Sequence, residues 1–371
     1  MTISPLPGER LPNAGLPSFG TRAFICGLEG LRVTDFERVY LNDTKPWGVI
    51  LFGRNIDNPD QVRRLTSDVR EALGWHAPIL IDQEGGRVQR LKPPHWQRYA
   101  AASRYGAMES HEAGAGIEAA QIATWMMADD LLDIGINVNC APVLDLRVRG
   151  GTNAIGNRAY HGDPELISRV ARAVHDAYLQ AGVAPVVKHI PGHGRAVVDS
   201  HLTLPRITTD RATLEASDFM PFRAINDAPM AMTGHLVFEA IDPELPVTLS
   251  PTMIGLIRDE IGFDGALMSD DLGMGALNGP MEERAAQALE AGCDLALHCN
   301  GLRSEMEAVR QSVPLLESRA AERCATALSR VGHQVLDRAS LTDRLETLLA
   351  NHPERDDDEG AVDPTLFSPV A

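Results

Sequence analysis

Short apolar runs recur eight times along the chain, and most are separated from the next by a longer stretch with helical periodicity. The runs cover roughly residues 23–27, 48–52, 79–82, 137–143, 185–189, 230–233, 266–269 and 294–298. Segments such as 59–73, 118–132, 164–180 and 280–291 place apolar residues at i, i+3 and i+4. Continuous apolar strands alternating with helices predict a parallel sheet that is covered on both faces. Eight of them favour an α/β fold of the (β/α)8 barrel type over the alternative, an open Rossmann-like sheet.

Polar residues fall where these predicted strands end. They are Asp82, Gln83, Glu84, Lys188, His189, His235, Asp270 and Asp271. The carboxyl ends of barrel strands converge on one face, and barrel enzymes place their active sites there. The pattern therefore predicts a single polar site at that face.

The chain is acidic, with 51 acidic against 34 basic residues in 371 and a formal net charge of −17. Such a charge disfavours nucleic acid and anionic membrane surfaces as partners. We find no apolar run long enough to span a membrane and no secretory signal, and five scattered cysteines favour reduced thiols. These features predict a cytoplasmic protein, and they leave its oligomeric state open.

We expect one catalytic domain over residues 1–350. From residue 351 the sequence is NHPERDDDEGAVDPTLFSPVA, which is acidic, rich in proline and poor in core-forming residues. That composition predicts a disordered tail over residues 351–371.

The segment IDQEGGRVQRL at 81–91 leaves a predicted strand with Asp82, turns through two glycines and presents Arg87 and Arg90. A carboxylate beside a guanidinium can hold two sugar hydroxyls by charge-assisted hydrogen bonds. A purely structural salt bridge is the other interpretation, and this segment alone leaves both open.

The segment KHIPGHGRAVVDSHL at 188–202 is the most informative one. Asp199 and His201 are two residues apart, so their side chains can meet in a turn. A carboxylate on an imidazole fixes the tautomer of the ring and suits it to proton transfer near neutral pH.

The same segment raises the question of a metal site, because His189 and His193 are four residues apart. Pro191 and Gly192 lie between them and disrupt a helical turn, which disfavours helix-like metal ligation. We therefore expect no metal and no cofactor, and we expect His193 to have a structural role.

The segment GALMSDDLGMGAL at 265–277 places Asp270 and Asp271 at the end of a predicted strand. Neighbouring side chains of a strand point to opposite faces, so only one carboxylate should face the barrel mouth. We expect Asp270 to face it, as a nucleophile or a carboxylate that stabilises the transition state, and Asp271 to brace the loop.

Four pieces together resemble glycoside hydrolase family 3, namely GVILFGRNI at 48–56, IDQEGGRVQRL, KHIPGHG with DSH at 199–201, and SDDLGM at 269–274. Their order and spacing, over roughly residues 20–340, are similar to those of its single-domain β-N-acetylglucosaminidases. The resemblance implies that Asp270 is the nucleophile and that His201, oriented by Asp199, is the acid/base. Ile190 stands where the common form of the family has phenylalanine, and it affects no catalytic position.

The resemblance also implies the residues that contact the non-reducing sugar. They are Asp82, Arg90, Arg158, Lys188 and His189. It further implies a retaining hydrolase that releases terminal β-linked N-acetylglucosamine from peptidoglycan fragments, in which this sugar is joined to 1,6-anhydro-N-acetylmuramic acid. The expected partner is thus a small carbohydrate or muropeptide encountered during cell-wall recycling.

Other functions remain open at this point. Within the family, a β-N-acetylglucosaminide phosphorylase or a β-glucosidase would use a similar site. Outside it, a metallohydrolase or a non-catalytic sugar-binding barrel could present the same polar face. The preference for an N-acetyl group rests on the resemblance alone.

Overall fold

The computed structural model describes residues 20–329 and 336–353, and within them eight parallel strands close into a barrel. The strands are β1 Arg22–Gly27, β2 Pro46–Leu51, β3 Ile79–Ile81, β4 Val138–Asn139, β5 Ala184–Ile190, β6 Met230–Thr233, β7 Ala266–Asp271 and β8 Leu295–His298. Each strand pairs with the next along the chain, and β8 pairs with β1. The prediction of a (β/α)8 barrel is confirmed, and closure excludes the open sheet.

Helices surround the barrel. In the described residues they are α1 Asp35–Thr44, α2 Pro59–Leu73, α3 Ala102–His111, α4 Ala115–Asp133, α5 Pro164–Ala181, α6 Arg211–Ala216, α7 Met220–Ala224, α8 Pro251–Asp259, α9 Met281–Ala291, α10 Arg303–Ser312, α11 Ser318–Ser329 and α12 Arg338–Asn351. The bounds of α2 are those that its periodicity predicts. Asn58 caps its first turn by accepting a hydrogen bond from the Gln61 backbone, and Gly74 ends it in the left-handed conformation.

Strand β4 is shorter than the apolar run 137–143 predicts. Pro142 has no backbone N–H and interrupts the ladder after the Cys140 N–H has reached the Ile81 carbonyl. Pairing with β5 resumes as a single bridge between Val143 and Lys188. The chain therefore leaves the barrel early on this side, and a long loop follows before α5.

Alternate residues of each strand enter two separate apolar layers. On β1, Ile25 points into the barrel interior, where it packs in one cluster with Leu80 and Met230. Phe24 and Cys26 belong to the second cluster, between the barrel and the helices. Because both faces of the strands are buried, their sequences are continuously apolar. This is the pattern from which the strands were predicted.

The remaining expectations concern the cysteines, the membrane and the tail. All five cysteines are buried free thiols. In the described parts of the chain, no helix is both long and apolar enough to cross a membrane. Helix α12 runs through Asn351, so regular structure continues one residue into the predicted tail, and residues 354–371 lie outside the described residues.

Candidate active site

A cavity of about 710 Å³ opens at the carboxyl end of the barrel. The sequence analysis assigns a role to eight residues, and seven of them line this cavity: Asp82, Arg90, Arg158, Lys188, His189, His201 and Asp270. The eighth, Asp199, contacts His201. Residues that lie up to 188 positions apart in the sequence thus meet in one cavity.

The chain after β3 is held by two amide side chains. Asn139, at the end of β4, accepts a hydrogen bond from the Gln83 N–H and donates one to the Gln83 carbonyl, both at 2.9 Å. The Gln83 side-chain oxygen then accepts the Arg90 N–H at 2.9 Å. The turn between them needs Gly85, whose φ of 95° is left-handed and whose Cβ would meet the Ala100 carbonyl. These contacts bring Asp82 and Arg90 to the same side of the turn.

Asp82 interacts with two cations at the base of the cavity. One of its oxygens lies 2.7 Å from the Lys188 ammonium, and the other lies 3.4 Å from the Arg90 guanidinium. Burial raises the pKa of the Asp82 carboxyl, but these two positive charges lower it more, so the pKa lies below its ordinary value. Asp82 is therefore an anion with fixed orientation.

Glu84 completes this cluster, although the sequence assigned it no role beyond its position near a strand end. It accepts two parallel hydrogen bonds from Arg158, each of 2.8 Å, and its carboxylate lies 2.6 Å from Lys188. Burial opposes ionisation of Glu84, yet the two cations hold its pKa well below the usual range. The same carboxylates raise the pKa of Lys188 despite its burial. Arg158 thus reaches the cavity already bound to Glu84.

His189 is oriented by Asp145, a residue that the sequence analysis missed. The Asp145 carboxylate is fully buried and lies 2.6 Å from Nδ1 of His189. It also accepts the His193 backbone N–H at 2.6 Å. Burial raises the pKa of Asp145, and the charge and hydrogen bonds of the two histidines lower it to below its ordinary value. A carboxylate can only accept, so Nδ1 of His189 carries a proton and Nε2 is the nitrogen left for other contacts.

The Asp199–His201 pair forms the contact that the sequence predicts. Nδ1 of His201 lies 2.7 Å from an Asp199 oxygen, which also accepts the His201 backbone N–H at 2.9 Å. Burial raises the pKa of Asp199, but its hydrogen bonds with His201 lower it below its ordinary value. The carboxylate fixes the proton on Nδ1, which leaves Nε2 as the nitrogen for proton transfer.

The loop that carries this pair is tied down at three points. Nε2 of His193 lies 2.9 Å from the Ser200 hydroxyl, between the two members of the pair. Arg195 donates a 2.6 Å hydrogen bond to the buried Asp218, and the His201 carbonyl accepts the Gly275 N–H at 3.1 Å. Burial and the neighbouring His189 lower the pKa of His193 to about 4, so its ring is neutral near pH 7.

Asp270 and Asp271 have different surroundings. Asp270 accepts the Asp271 N–H at 2.8 Å. Burial raises the pKa of Asp270, while His235, His189 and His201 lower it, and the net direction is downward. Asp271 instead accepts the backbone N–H groups of Gly273 and Cys299, at 3.0 and 3.1 Å, and so joins the loops after β7 and β8. Both residues line the cavity, so the expectation that only one of them would face the barrel mouth is wrong, whereas Asp271 braces the loops as expected.

Within residues 20–329 and 336–353, no group of three or more histidine, cysteine or acidic side chains is arranged to hold a metal ion. His189 and His193 pack edge to face, with ring centroids 5.6 Å apart. Nδ1 of His189 is bound by Asp145 and Nε2 of His193 by Ser200. One nitrogen of each ring is therefore held by a protein partner.

Several residues of the cavity wall had no assigned role. Phe52 lies beneath two guanidinium groups, that of Arg54 at 5.0 Å and that of Arg90 at 5.7 Å from its ring centroid. Arg54 also donates to the carbonyls of Leu28 and Cys299, and so joins the loops after β1 and β8. The motif GVILFGRNI contains both Phe52 and Arg54, but nothing in it indicates which loops the arginine reaches.

Comparison with known proteins gives a consistent result. The pattern of the "Glycosyl hydrolase family 3 N terminal domain" matches residues 25–333. A β-hexosaminidase of Alkalilimnicola ehrlichii is 43% identical over 279 residues, which are 74% of this chain and 79% of that protein. The crystal structure of native NagZ from Neisseria gonorrhoeae superposes with a TM-score of 0.81 at 31% identity, covering 90% of this chain and 99% of NagZ. The same coverage and scores hold for NagZ in complex with N-trifluoroacetyl-D-glucosamine.

The carboxylate cluster leads to a prediction about Asp82. We expect Asp82→Asn to lower kcat/KM by about one to two decades, because a charge-assisted contact is worth roughly 1.5–3 kcal/mol. The loss should be in KM more than in kcat, since the acid/base pair and Asp270 are untouched. Steady-state kinetics with an aryl β-N-acetylglucosaminide, together with the melting temperature, measure both effects.

Asp294→Asn is the matched control, because Asp294 is also buried and lies 2.7 Å from a guanidinium, that of Arg258, but outside the cavity. It should lower the melting temperature with little change in KM. If Asp82→Asn behaved in the same way, Asp82 would be a structural residue rather than a sugar contact.

Proposed function

The chain belongs to glycosyl hydrolase family 3, and from that premise we propose that it is a retaining β-N-acetylglucosaminidase that acts on peptidoglycan fragments. It is a glycosyl hydrolase of N-acetylhexosaminides, as its β-hexosaminidase relatives are. The observation that carries the proposed mechanism is that Asp270 and His201 line one cavity, with Asp199 bound to His201. One group can attack the anomeric carbon, and the other can move a proton.

In the proposed first step, a carboxylate oxygen of Asp270 attacks the anomeric carbon of the bound sugar. The lowered pKa of Asp270 keeps it ionised at neutral pH, as a nucleophile must be. Nε2 of His201 gives its proton to the glycosidic oxygen, whose bond to the anomeric carbon breaks. The products of this step are the free leaving group and a covalent glycosyl ester of Asp270.

In the second step, Nε2 of His201 takes a proton from water, and the water oxygen attacks the same anomeric carbon. The ester bond breaks and Asp270 returns to the carboxylate form. Two displacements on opposite faces retain the configuration of the sugar. A histidine replaces the second carboxyl group that most retaining glycosidases use, and Asp199 holds it in the required tautomer.

We assign the base of the cavity to the non-reducing sugar. Asp82, Arg90, Arg158, Lys188 and His189 can all reach it with hydrogen-bonding groups that are already oriented by partners. Lys188 has three donors, and its two carboxylate partners leave one for a hydroxyl. Because these groups are fixed before substrate arrives, binding requires little further ordering.

The finer parts of the proposal concern the natural substrate, the cellular location and the domain boundaries. We propose that the substrate is N-acetylglucosamine linked to 1,6-anhydro-N-acetylmuramic acid, with or without a peptide, and that the enzyme acts in the cytoplasm during cell-wall recycling. We also propose that residues 1–350 form one catalytic unit and that 351–371 are a tail. The residues assigned a role lie between Asp82 and Asp270, all in the barrel, so the chemistry requires no second domain.

A phosphorylase is the second candidate, and one observation favours it. The proton-transfer group is a histidine, which repels an incoming phosphate less than a carboxylate would. Phosphate in place of water in the second step would give a sugar 1-phosphate. The two candidates therefore differ in their product and share the first step.

A panel of aryl β-glycosides that differ only at C2 tests the activity. We expect turnover of the N-acetylglucosaminide to exceed that of the glucoside by at least about tenfold, since the relatives are hexosaminidases. In phosphate-containing buffer the product should be free N-acetylglucosamine. A preference for the glucoside would make the protein a β-glucosidase, and a sugar 1-phosphate would make it a phosphorylase.

Asp270→Ala and His201→Ala should have different consequences. Without Asp270, turnover should fall by several decades for every substrate, because no leaving group replaces a missing nucleophile. Without His201, an aryl substrate with an acidic phenol should lose less in its first step than a disaccharide, whose leaving group needs a proton. Pre-steady-state kinetics should then show a burst of phenol. An equal loss for both substrates would contradict the role of His201.

A further inference from the structure

One wall of the catalytic cavity is a segment that follows the turn after β3. Residues Lys92, Pro93, Pro94, His95 and Trp96 line the cavity from this side. The residues that we assign to the sugar are buried, whereas the first four residues of this segment are exposed. The segment therefore forms part of the mouth of the cavity.

The leaving group must lie toward the mouth. Below the cavity the barrel is filled by side chains with no exposed surface, such as Leu80, Met230 and Met268. A terminal sugar that occupies the closed end can direct its anomeric substituent only outward. The volume of about 710 Å³ is that of a site for a ligand larger than one sugar, so part of it is left for this substituent.

The positive charge at the mouth is not already neutralised, in contrast to the charge at the base. Lys188 lies between two carboxylates, and Arg158 is bound in a bidentate manner by Glu84. The side chains of Lys92 and His95 make no ion pair or hydrogen bond with any residue in the described part of the chain. The mouth therefore offers an ammonium and an imidazole to a ligand.

The segment holds these two groups in a defined place. Prolines at 93 and 94 restrict the backbone, and the Trp96 N–H closes a turn on the Lys92 carbonyl at 3.3 Å. Trp96 is buried, and the His95 ring packs against it edge to face with centroids 5.8 Å apart. A ligand that meets them therefore loses less entropy than it would on a mobile loop.

We propose that Lys92 and His95 form the leaving-group subsite and select leaving groups that bear a carboxylate. The proposal rests on the assignment of the base of the cavity to N-acetylglucosamine. The muramic acid moiety has such a carboxylate on its lactyl ether, and a peptide attached there has others. In a protein with a net charge of −17, a local ammonium beside an imidazole donor is what would make an anionic leaving group acceptable.

Asp57, which lines the same cavity, allows the direction of the proposed charge effect to be tested. It lies in the loop before α2, is exposed, and lines the cavity with its carboxylate hydrogen-bonded to Asn58. Its negative charge opposes an anionic ligand. If charge at the mouth selects the leaving group, removing this carboxylate must act in the direction opposite to removing Lys92.

The experiment compares three substrates with the same N-acetylglucosaminyl group. They are the disaccharide with 1,6-anhydro-N-acetylmuramic acid, its lactyl amide, and the disaccharide bearing a tripeptide. The wild type should have a higher kcat/KM for the acid, for the peptide substrate, or for both, than for the neutral amide. Which of the two is preferred identifies the carboxylate that is recognised.

The double variant Lys92→Gln/His95→Gln should reduce this preference by roughly threefold to tenfold, the effect of losing one exposed charge pair and one hydrogen-bond donor. Added salt should reduce the wild-type preference in the same direction. Asp57→Asn should increase it. Arg98→Gln is the matched control, because Arg98 is an exposed cation on the same segment that does not line the cavity, and it should change nothing.

The outcomes separate this inference from the proposed function. Equal kcat/KM for the three substrates in the wild type, or a preference that survives the double variant, would overturn the inference while the hydrolase stands. No turnover of any of the three, with turnover of an aryl N-acetylglucosaminide, would instead contradict the proposed substrate class. A preference changed equally by Arg98→Gln would reduce the effect to general surface charge.

Discussion

The ammonium group of Lys188 connects the end of strand β5 to the loop that follows strand β3. It lies at the end of β5, 2.7 Å from the Asp82 carboxylate and 2.6 Å from that of Glu84, both of which follow β3. Removing three charges from water costs a great deal of free energy, and only close pairing offsets that cost. Lys188 contacts both carboxylates, and Arg90 and Arg158 add further contacts, to Asp82 and to Glu84 respectively. The four charged side chains around Lys188 thus form one connected cluster, in which each carboxylate contacts the lysine and one arginine.

The groups proposed to react are supported in different ways. Asp270 ends a barrel strand, and its neighbour Asp271 fastens the loops after β7 and β8. His201 is on a loop without regular structure, and three contacts hold that loop in place. His193 contacts Ser200, Arg195 contacts Asp218, and the His201 carbonyl accepts the Gly275 N–H. A nucleophile needs a fixed distance to one carbon atom, whereas a proton-transfer group must serve two oxygens in turn. A rigid strand and a tethered loop suit these two tasks.

Local patterns in the sequence predicted the fold and several polar residues at the cavity, and the family resemblance added others such as Arg158. The eight apolar runs gave the barrel because both faces of each strand are buried, and the short spacing of Asp199 and His201 gave their contact. Contacts between distant segments were not predictable in this way. Asp145 lies 44 residues from His189, and Glu84 lies 74 residues from Arg158. Each is a polar residue close to a strand end, which is a usable signal, but its partner is set by how the loops cross above the barrel.

Trapping the covalent intermediate tests the central claim, that Asp270 attacks the anomeric carbon, most directly. A 5-fluoro-N-acetylglucosaminyl fluoride combines a good leaving group with a ring that destabilises the positively charged transition state, so the intermediate should accumulate. Mass spectrometry of the digested protein should place one added sugar on the peptide that contains Ser269–Asp271, and fragmentation should assign it to Asp270. A sugar on Asp271 or on another residue would contradict the assignment. So would the absence of any adduct while hydrolysis retains the configuration, because the substrate's own acetamido group would then be the nucleophile.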